Sequence, residues 1–128
     1  MADILLVEDD PDIAELVQIF LEGAGHHVRL ARNGREGLER LEERLPDVVV
    51  MDVEMPVLTG PQMVERMFVE NMGRDNIPVV VVSAAMGLSA VAKRIGTPYH
   101  LSKPFSPEAL LGLVDQALGE RRIPQPGW

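Results

Sequence analysis

The chain has 128 residues, with 20 acidic side chains against 12 basic ones, a formal net charge of −8 and no cysteine. This length suits one domain with a proper core, and the absence of cysteine excludes disulfides, thiolate catalysis and cysteine-ligated metals. The negative charge argues against nonspecific nucleic-acid binding, which depends on Lys and Arg neutralising phosphates.

Taken in order, Ile4 to Val7 reads as a buried strand. The leader "MADILLVEDD" has no basic stretch before its apolar run and turns acidic at once, which argues against a signal peptide and for a cytoplasmic address. Ile13, Leu16, Val17, Phe20 and Leu21 follow at the spacing of an amphipathic helix, ended by Gly23 and Gly25. Val28 to Ala31 is a short second strand. In "NGREGLERLEERL", Leu38, Leu41 and Leu45 share a helical face, and the charges between them read as a solvated surface. The neighbouring His26 and His27 sit in a glycine-bounded turn and point apart, so a metal site there is not expected. Val48 to Met51 is the third strand. Thr59 or Gly60 opens the next helix, with Pro61 tolerated in its first turn and Val64, Met67 and Phe68 facing inward. Met51, Met55, Met63 and Met67 read as core filler.

"IPVVVVSAA" is the fourth strand, and the apolar stretch from Ile77 to Met86 is too short to cross a bilayer. "MGLSAVAKRIG" predicts a short helix and Tyr99 to Ser102 a fifth strand. Ser106 and Pro107 cap a last helix with Leu110, Leu113, Val114, Ala117 and Leu118 as its stripe. "GERRIPQPGW" reads as a frayed tail. Strands alternating with helices imply a parallel sheet covered on both faces, an α/β fold whose ligands bind beyond the carboxyl ends of the strands.

Those ends are chemically distinctive. Glu8, Asp9 and Asp10 follow the first strand, Asp52 the third, Ser83 with Ala84 and Ala85 the fourth, and Lys103 with Pro104 and Phe105 the fifth. Asp10 before Pro11 reads as a helix cap. Ser83 alone is an ordinary loop hydroxyl and Lys103 alone an ordinary surface lysine; their shared placement makes the set informative. Like carboxylates about 4 Å apart, at an effective dielectric near 20, repel by about 4 kcal/mol per pair. A hard divalent cation relieves this. An aspartate can act as nucleophile towards phosphorus, with cation, ammonium and hydroxyl sharing the phosphoryl charge.

The segments "ILLVEDDPDI", "DVVVMDVEMPVLTG", "PVVVVSA" and "LSKPF" resemble, in order and nearly in spacing, the receiver domain of bacterial two-component response regulators, including its chemotaxis members. The resemblance runs from Asp3 to about Gly119, and implies a receiver over residues 1–119 and a tail or linker start over 120–128. It implies a doubly wound (βα)5 flavodoxin-like sandwich with strand order 2-1-3-4-5. It implies that Asp52 accepts a phosphoryl group from a phosphohistidine of a histidine kinase or phosphotransfer protein, with Lys103 and Ser83 contacting that group. Magnesium, or manganese in its place, would be held by Asp9, Asp52 and the backbone carbonyl of Glu54, with Glu8 acting through water. The Lys103–Pro104 bond would be cis.

Such a protein is not an enzyme in the usual sense, because it catalyses only its own phosphorylation and dephosphorylation. Its partners would be the phosphodonor and a downstream protein or its own output domain, with no nucleic acid and no membrane. It would be a monomer or a phosphorylation-dependent homodimer. The alternatives are an amino-terminal receiver fragment of a longer regulator with a DNA-binding or enzymatic output, and a magnesium-dependent aspartyl phosphatase with Glu54 as general acid. Met55–Pro56 and the lack of a substrate-cap segment argue against the latter.

Two departures from the family pattern fall on its signalling face. His100 stands where the family carries an aromatic switch residue to accompany Ser83, and the adjacent Tyr99 must face the other way. The segment from Ser83 to Gly96 is also about two residues short, predicting a short fourth helix.

Overall fold

Five strands and five helices alternate along the chain: β1 (Asp3–Val7), α1 (Pro11–Gly23), β2 (His27–Ala31), α2 (Gly34–Glu43), β3 (Val48–Met51), α3 (Gly60–Val69), β4 (Val79–Ser83), α4 (Leu88–Ile95), β5 (His100–Ser102) and α5 (Pro107–Glu120). The computed structural model describes residues 2–53, 57–69, 77–84 and 87–125, with 68 and 69 described by backbone alone. Every ladder is parallel and the strand order is 2-1-3-4-5, the expected doubly wound α/β arrangement. The order reverses at β1, so the crevice for a ligand opens where β1 and β3 end side by side.

The strands are Val-, Ile- and Leu-rich because both of their faces are covered. On one face Leu5, Val49, Val79 and Val81 pack against Leu41 of α2, Met63 and Met67 of α3, and Leu88 and Ile95 of α4. On the other, Ile4, Val48 and Val80 meet Val17 and Leu21 of α1 and Leu110 and Val114 of α5. The unbranched methionines fill the gaps on the three-helix side.

The helices start where their caps dictate. Asp10 accepts the amides of Asp12 and Ile13 at 2.9 and 3.3 Å, ahead of Pro11. Asn33 accepts the Glu36 amide at 2.9 Å, and Ser106 accepts that of Ala109 at 3.1 Å, ahead of Pro107. Each side-chain oxygen satisfies an amide that the first turn leaves without a partner. The fourth helix is short, as expected, and is bounded by Gly87 and Gly96, both left-handed at φ 75 and 85.

Some sequence expectations are corrected. Leu16, placed on the core stripe of α1, is 51% exposed, because the buried line runs through Ala14, Val17 and Leu21. Leu45 is 50% exposed, and α2 stops at Glu43; Pro46 forces the residue before it out of helical backbone. Residues 121–125 are no frayed tail. Arg121 turns left-handed at φ 54, Pro124 is buried, and the Gln125 amide donates to Gly96 O at 3.0 Å. His26 accepts the Ala2 amide on Nδ1 at 3.2 Å, a structural contact. No helix among the described residues is long and apolar enough to cross a membrane.

Tyr99 is wholly buried in the core on the α1 and α5 side. Its hydroxyl donates to Glu120 Oε1 at 3.0 Å and accepts the Arg122 amide at 3.3 Å. Burial raises the phenol above its usual 10.0; the Arg122 amide and charge oppose this and the Glu120 carboxylate adds to it. A folded value above the unfolded one means that this stabilisation is complete below pH 10.0 and is lost as pH rises through the folded value. The melting-temperature advantage of wild type over Tyr99→Phe, read by calorimetry, is therefore expected to hold from about pH 7 to about pH 9 and to shrink in more alkaline buffer.

Candidate functional site at the carboxyl ends of the strands

Parallel pairing of β1 with β3 puts Val7 beside Met51, so the residues that follow them, Glu8 and Asp52, leave the sheet side by side. The Asp52 amide donates to Val7 O at 3.0 Å and the Glu8 amide to Ala31 O at 2.9 Å, which extends the ladder into the site. Ser83 ends β4, and its carbonyl accepts the Lys103 amide at 2.9 Å, which brings the lysine over from the far strand. Lys103 then enters a cis bond to Pro104.

These residues share a pocket of about 330 Å³ with Asp9, Asp10, Ile13 and Ala84. Glu8 is only 2% exposed, Asp52 8% and Ser83 2%. Lys103 Nζ lies 2.6 Å from Glu8 Oε1 and 3.4 Å from Asp52 Oδ2. The second oxygen of Glu8 accepts the Asp10 amide at 3.2 Å. Asp52 Oδ1 is buried and accepts no hydrogen bond from the described residues.

One ammonium thus faces two buried carboxylates. Burial raises the Glu8 carboxyl above its usual 4.5 and the charge of Asp52 adds to this, while Lys103 and the Asp10 amide pull it down. Burial alone would lower the Lys103 ammonium. The hydrogen bond and charge of Glu8, joined by those of Asp52, outweigh it and raise the group above 10.5. Both shifts report one condition, an excess of negative charge inside a partly desolvated pocket.

Asp9, exposed at the rim, completes the set: Glu8, Asp9 and Asp52 each present a carboxylate oxygen within 4.8 Å of the other two. Hard oxygen donors of this kind suit magnesium or manganese. A buried carboxylate oxygen without a protein donor is what remains when the counter-charge comes from outside the chain. The residues therefore fit the expected cation. Asp10 is the α1 cap, as its place before Pro11 implied. Glu54, expected to lend a backbone carbonyl, lies outside the described residues, as do Met55, Pro56 and Ala85. His100 is exposed on β5, away from the buried Tyr99 and apart from the pocket.

Sequence reasoning missed how the loop after Asp52 is held. A Cβ on Gly60 would lie 2.7 Å from Asp52 O, and one on Gly34 would lie 2.6 Å from Leu58 O. Both glycines are small so that backbone can approach backbone, a signal that an isolated glycine in a sequence does not announce. Between them Val57 adopts φ 71, a left-handed conformation that costs a side-chain-bearing residue roughly 1–2 kcal/mol.

The profile of the response regulator receiver domain family matches residues 4–115, and the chain belongs to that family. Among curated proteins it is 39% identical to Protein Rrf1 of Nitratidesulfovibrio vulgaris over 91% of this chain and 83% of that one. It is 35% identical to Protein PilH of Pseudomonas aeruginosa over 92% and 98%. The response regulator Rre1 of Synechocystis is 34% identical over 93% of this chain, which spans only 52% of Rre1. Among solved structures, the Francisella response regulator 1452 receiver domain superposes with a TM-score of 0.83 at 26% identity, covering 95% of this chain and all of that one. The Vibrio cholerae chemotaxis protein CheY4 gives 0.82 at 31%, over 91% and 98%.

The crowding of Glu8, Asp9 and Asp52 has a thermal consequence. Asp52→Ala is expected to raise the melting temperature by about 3–6 °C, equivalent to roughly 1 kcal/mol, and saturating magnesium to raise that of wild type. Calorimetry with and without magnesium checks both. If neither shifts, the carboxylates are not crowded as described.

Proposed function

We propose that this receiver accepts a phosphoryl group on Asp52 from a phosphohistidine and signals through the resulting change of conformation. The observation that carries the reading is the state of Asp52: a carboxylate at the end of a core strand, with one oxygen 3.4 Å from Lys103 and the other lacking any donor among the described residues.

A carboxylate oxygen of Asp52 attacks phosphorus; the P–O bond forms as the P–N bond breaks, and the electron pair leaves on the imidazole. Lys103 stands where it can follow the charge as it passes to the phosphoryl oxygens, held meanwhile by Glu8 at 2.6 Å. Ser83, at the end of β4, lines the same pocket and would lend its hydroxyl, and the small Ala84 at the rim leaves the approach open. Asp9 and Asp52, with Glu8 acting through water and the Glu54 carbonyl as the expected further ligand, would hold magnesium or manganese, which would neutralise charge on the transferred group. The chain catalyses its own phosphorylation and the later hydrolysis and has no other substrate, so we class it as a switch and not an enzyme. Phosphorylation biases two pre-existing conformations, with Ser83 and His100 as the expected switch positions.

A groove of about 370 Å³ beside the pocket shares Ala84 and Lys103 with it and is walled by Ile13, Leu16, Phe20 and Phe105. Its apolar lining next to the nucleophile suits the helix of a kinase or phosphotransfer protein that carries the phosphohistidine, and it accounts for the exposure of Leu16. The same unit placed ahead of an output domain is a second reading, favoured by the twofold length of Rre1. We place the protein in the cytoplasm, where such donors act, as a monomer or a dimer formed on phosphorylation.

The test is intact mass after incubation with magnesium and acetyl phosphate. Wild type is expected to gain one phosphoryl group that alkali or hydroxylamine removes, and Asp52→Asn none. Leu16→Glu is expected to label normally from acetyl phosphate but about tenfold more slowly from a phosphorylated protein donor. Continuous turnover of phosphate esters would instead indicate a phosphatase, and no uptake by magnesium-loaded wild type would overturn the acceptor reading.

A further inference from the structure

The end of the sheet opposite the acidic pocket carries a contact that the phosphoacceptor chemistry does not use. After α5 the chain reverses and runs back across the α4–β5 connection. Its Arg122 amide donates to the Tyr99 hydroxyl at 3.3 Å and its Gln125 amide to Gly96 O at 3.0 Å. Pro124 between them is buried. Gly96 has no room for a side chain beneath this segment, because a Cβ there would run into the backbone of Gln125. A cleft of about 710 Å³ remains along the segment, walled by Lys93, Thr97, Pro98, Arg122 and Ile123.

The segment therefore joins the end of α4 through Gly96 to the lead into β5 through Tyr99, whose hydroxyl also holds Glu120 at the end of α5. Tyr99 is itself fixed from below, since its amide donates to Thr97 Oγ1 at 3.1 Å and its carbonyl accepts the Val81 amide at 2.9 Å. Lys103, which touches Asp52, follows the other end of β5, four residues after Tyr99. A displacement of β5 along its length is felt at both ends, because an extended strand is stiff and only about 13 Å separates the two.

We propose that residues 121–125 are a strap, that the Tyr99 hydroxyl is its catch, and that strap docking and phosphorylation of Asp52 are linked equilibria. The linkage rests on the phosphoacceptor reading above; the strap and its catch do not. The strap lies outside the sheet ladders and meets this face through its Arg122 and Gln125 amides and the buried Pro124, so it can open while the sheet stays intact. By reciprocity, whatever the strap does to the acyl phosphate, the acyl phosphate does to the strap.

The experiment reads both ends in the full chain. Amide hydrogen exchange of Gln125 and Arg122, followed by NMR without any phosphodonor, is compared among wild type, Tyr99→Phe and Pro124→Asp. The second variant unseats the strap without altering β5. Exchange at Gln125 is expected to rise about tenfold in Tyr99→Phe and more in Pro124→Asp, while amides of β1, β3 and β4 keep their protection. The phosphorylated fraction at fixed acetyl phosphate is expected to shift about fivefold or more from wild type, in the same direction in both variants. Unchanged Gln125 exchange in Tyr99→Phe overturns the catch. Faster exchange with an unchanged phosphorylated fraction overturns the linkage. A wild-type chain that takes up no phosphoryl group overturns the acceptor reading and the linkage with it, while the exchange measurement still decides the catch.

Discussion

Glu8 and Asp52 share a single ammonium group, and much of the molecule serves to keep them together in spite of their repulsion. Parallel pairing of β1 and β3 delivers both carboxylates side by side from the sheet, where they are largely buried. Lys103 reaches them because β5 is paired with β4 and its own amide donates to the Ser83 carbonyl. The negative charge that Lys103 leaves unbalanced suits a bound divalent cation. The packed layers of helix around the sheet hold the carboxylates together against their repulsion.

The fold was legible because its signals are local and redundant. Apolar runs of strand length, helical stripes and caps such as Asp10 and Ser106 all pointed to one architecture. The pocket was legible for a related reason: in a doubly wound sheet the functional side chains follow strand ends, so position in the chain translates into position in space. The errors came where one-dimensional pattern loses contact with three-dimensional area. The stripe on α1 is wider than the strip of sheet it covers, so Leu16 belongs by periodicity to the core and by geometry to the groove. Leu45 fits the period of α2 but falls beyond its end, because Pro46 outweighs periodicity.

The contacts at Gly34, Gly60 and Gly96 were out of reach for a different reason. Each admits a close approach of other backbone, from far along the chain at Gly34 and Gly96 and from the same loop at Gly60, and a missing side chain leaves no pattern to detect. The same holds for residues 121–125. Their composition, rich in charge and proline, reads as a tail; the Tyr99 hydroxyl and the Gly96 carbonyl that meet them come within range only in the fold. His100 and Tyr99 show the opposite case: alternation along a strand says in advance that they face opposite ways, and the structure sends Tyr99 to the core and His100 to solvent.

The brevity of β5 has a consequence for the protein in concentrated solution. An outermost strand with open backbone groups is a template on which other chains can polymerise. This one offers only His100 to Ser102, a length of about 10 Å, and it is bracketed by Pro98 and Pro104, neither of which can donate a hydrogen bond. A foreign strand finds too short a ladder there to hold its register. Lys103 thus follows an edge strand too short to seed fibrils.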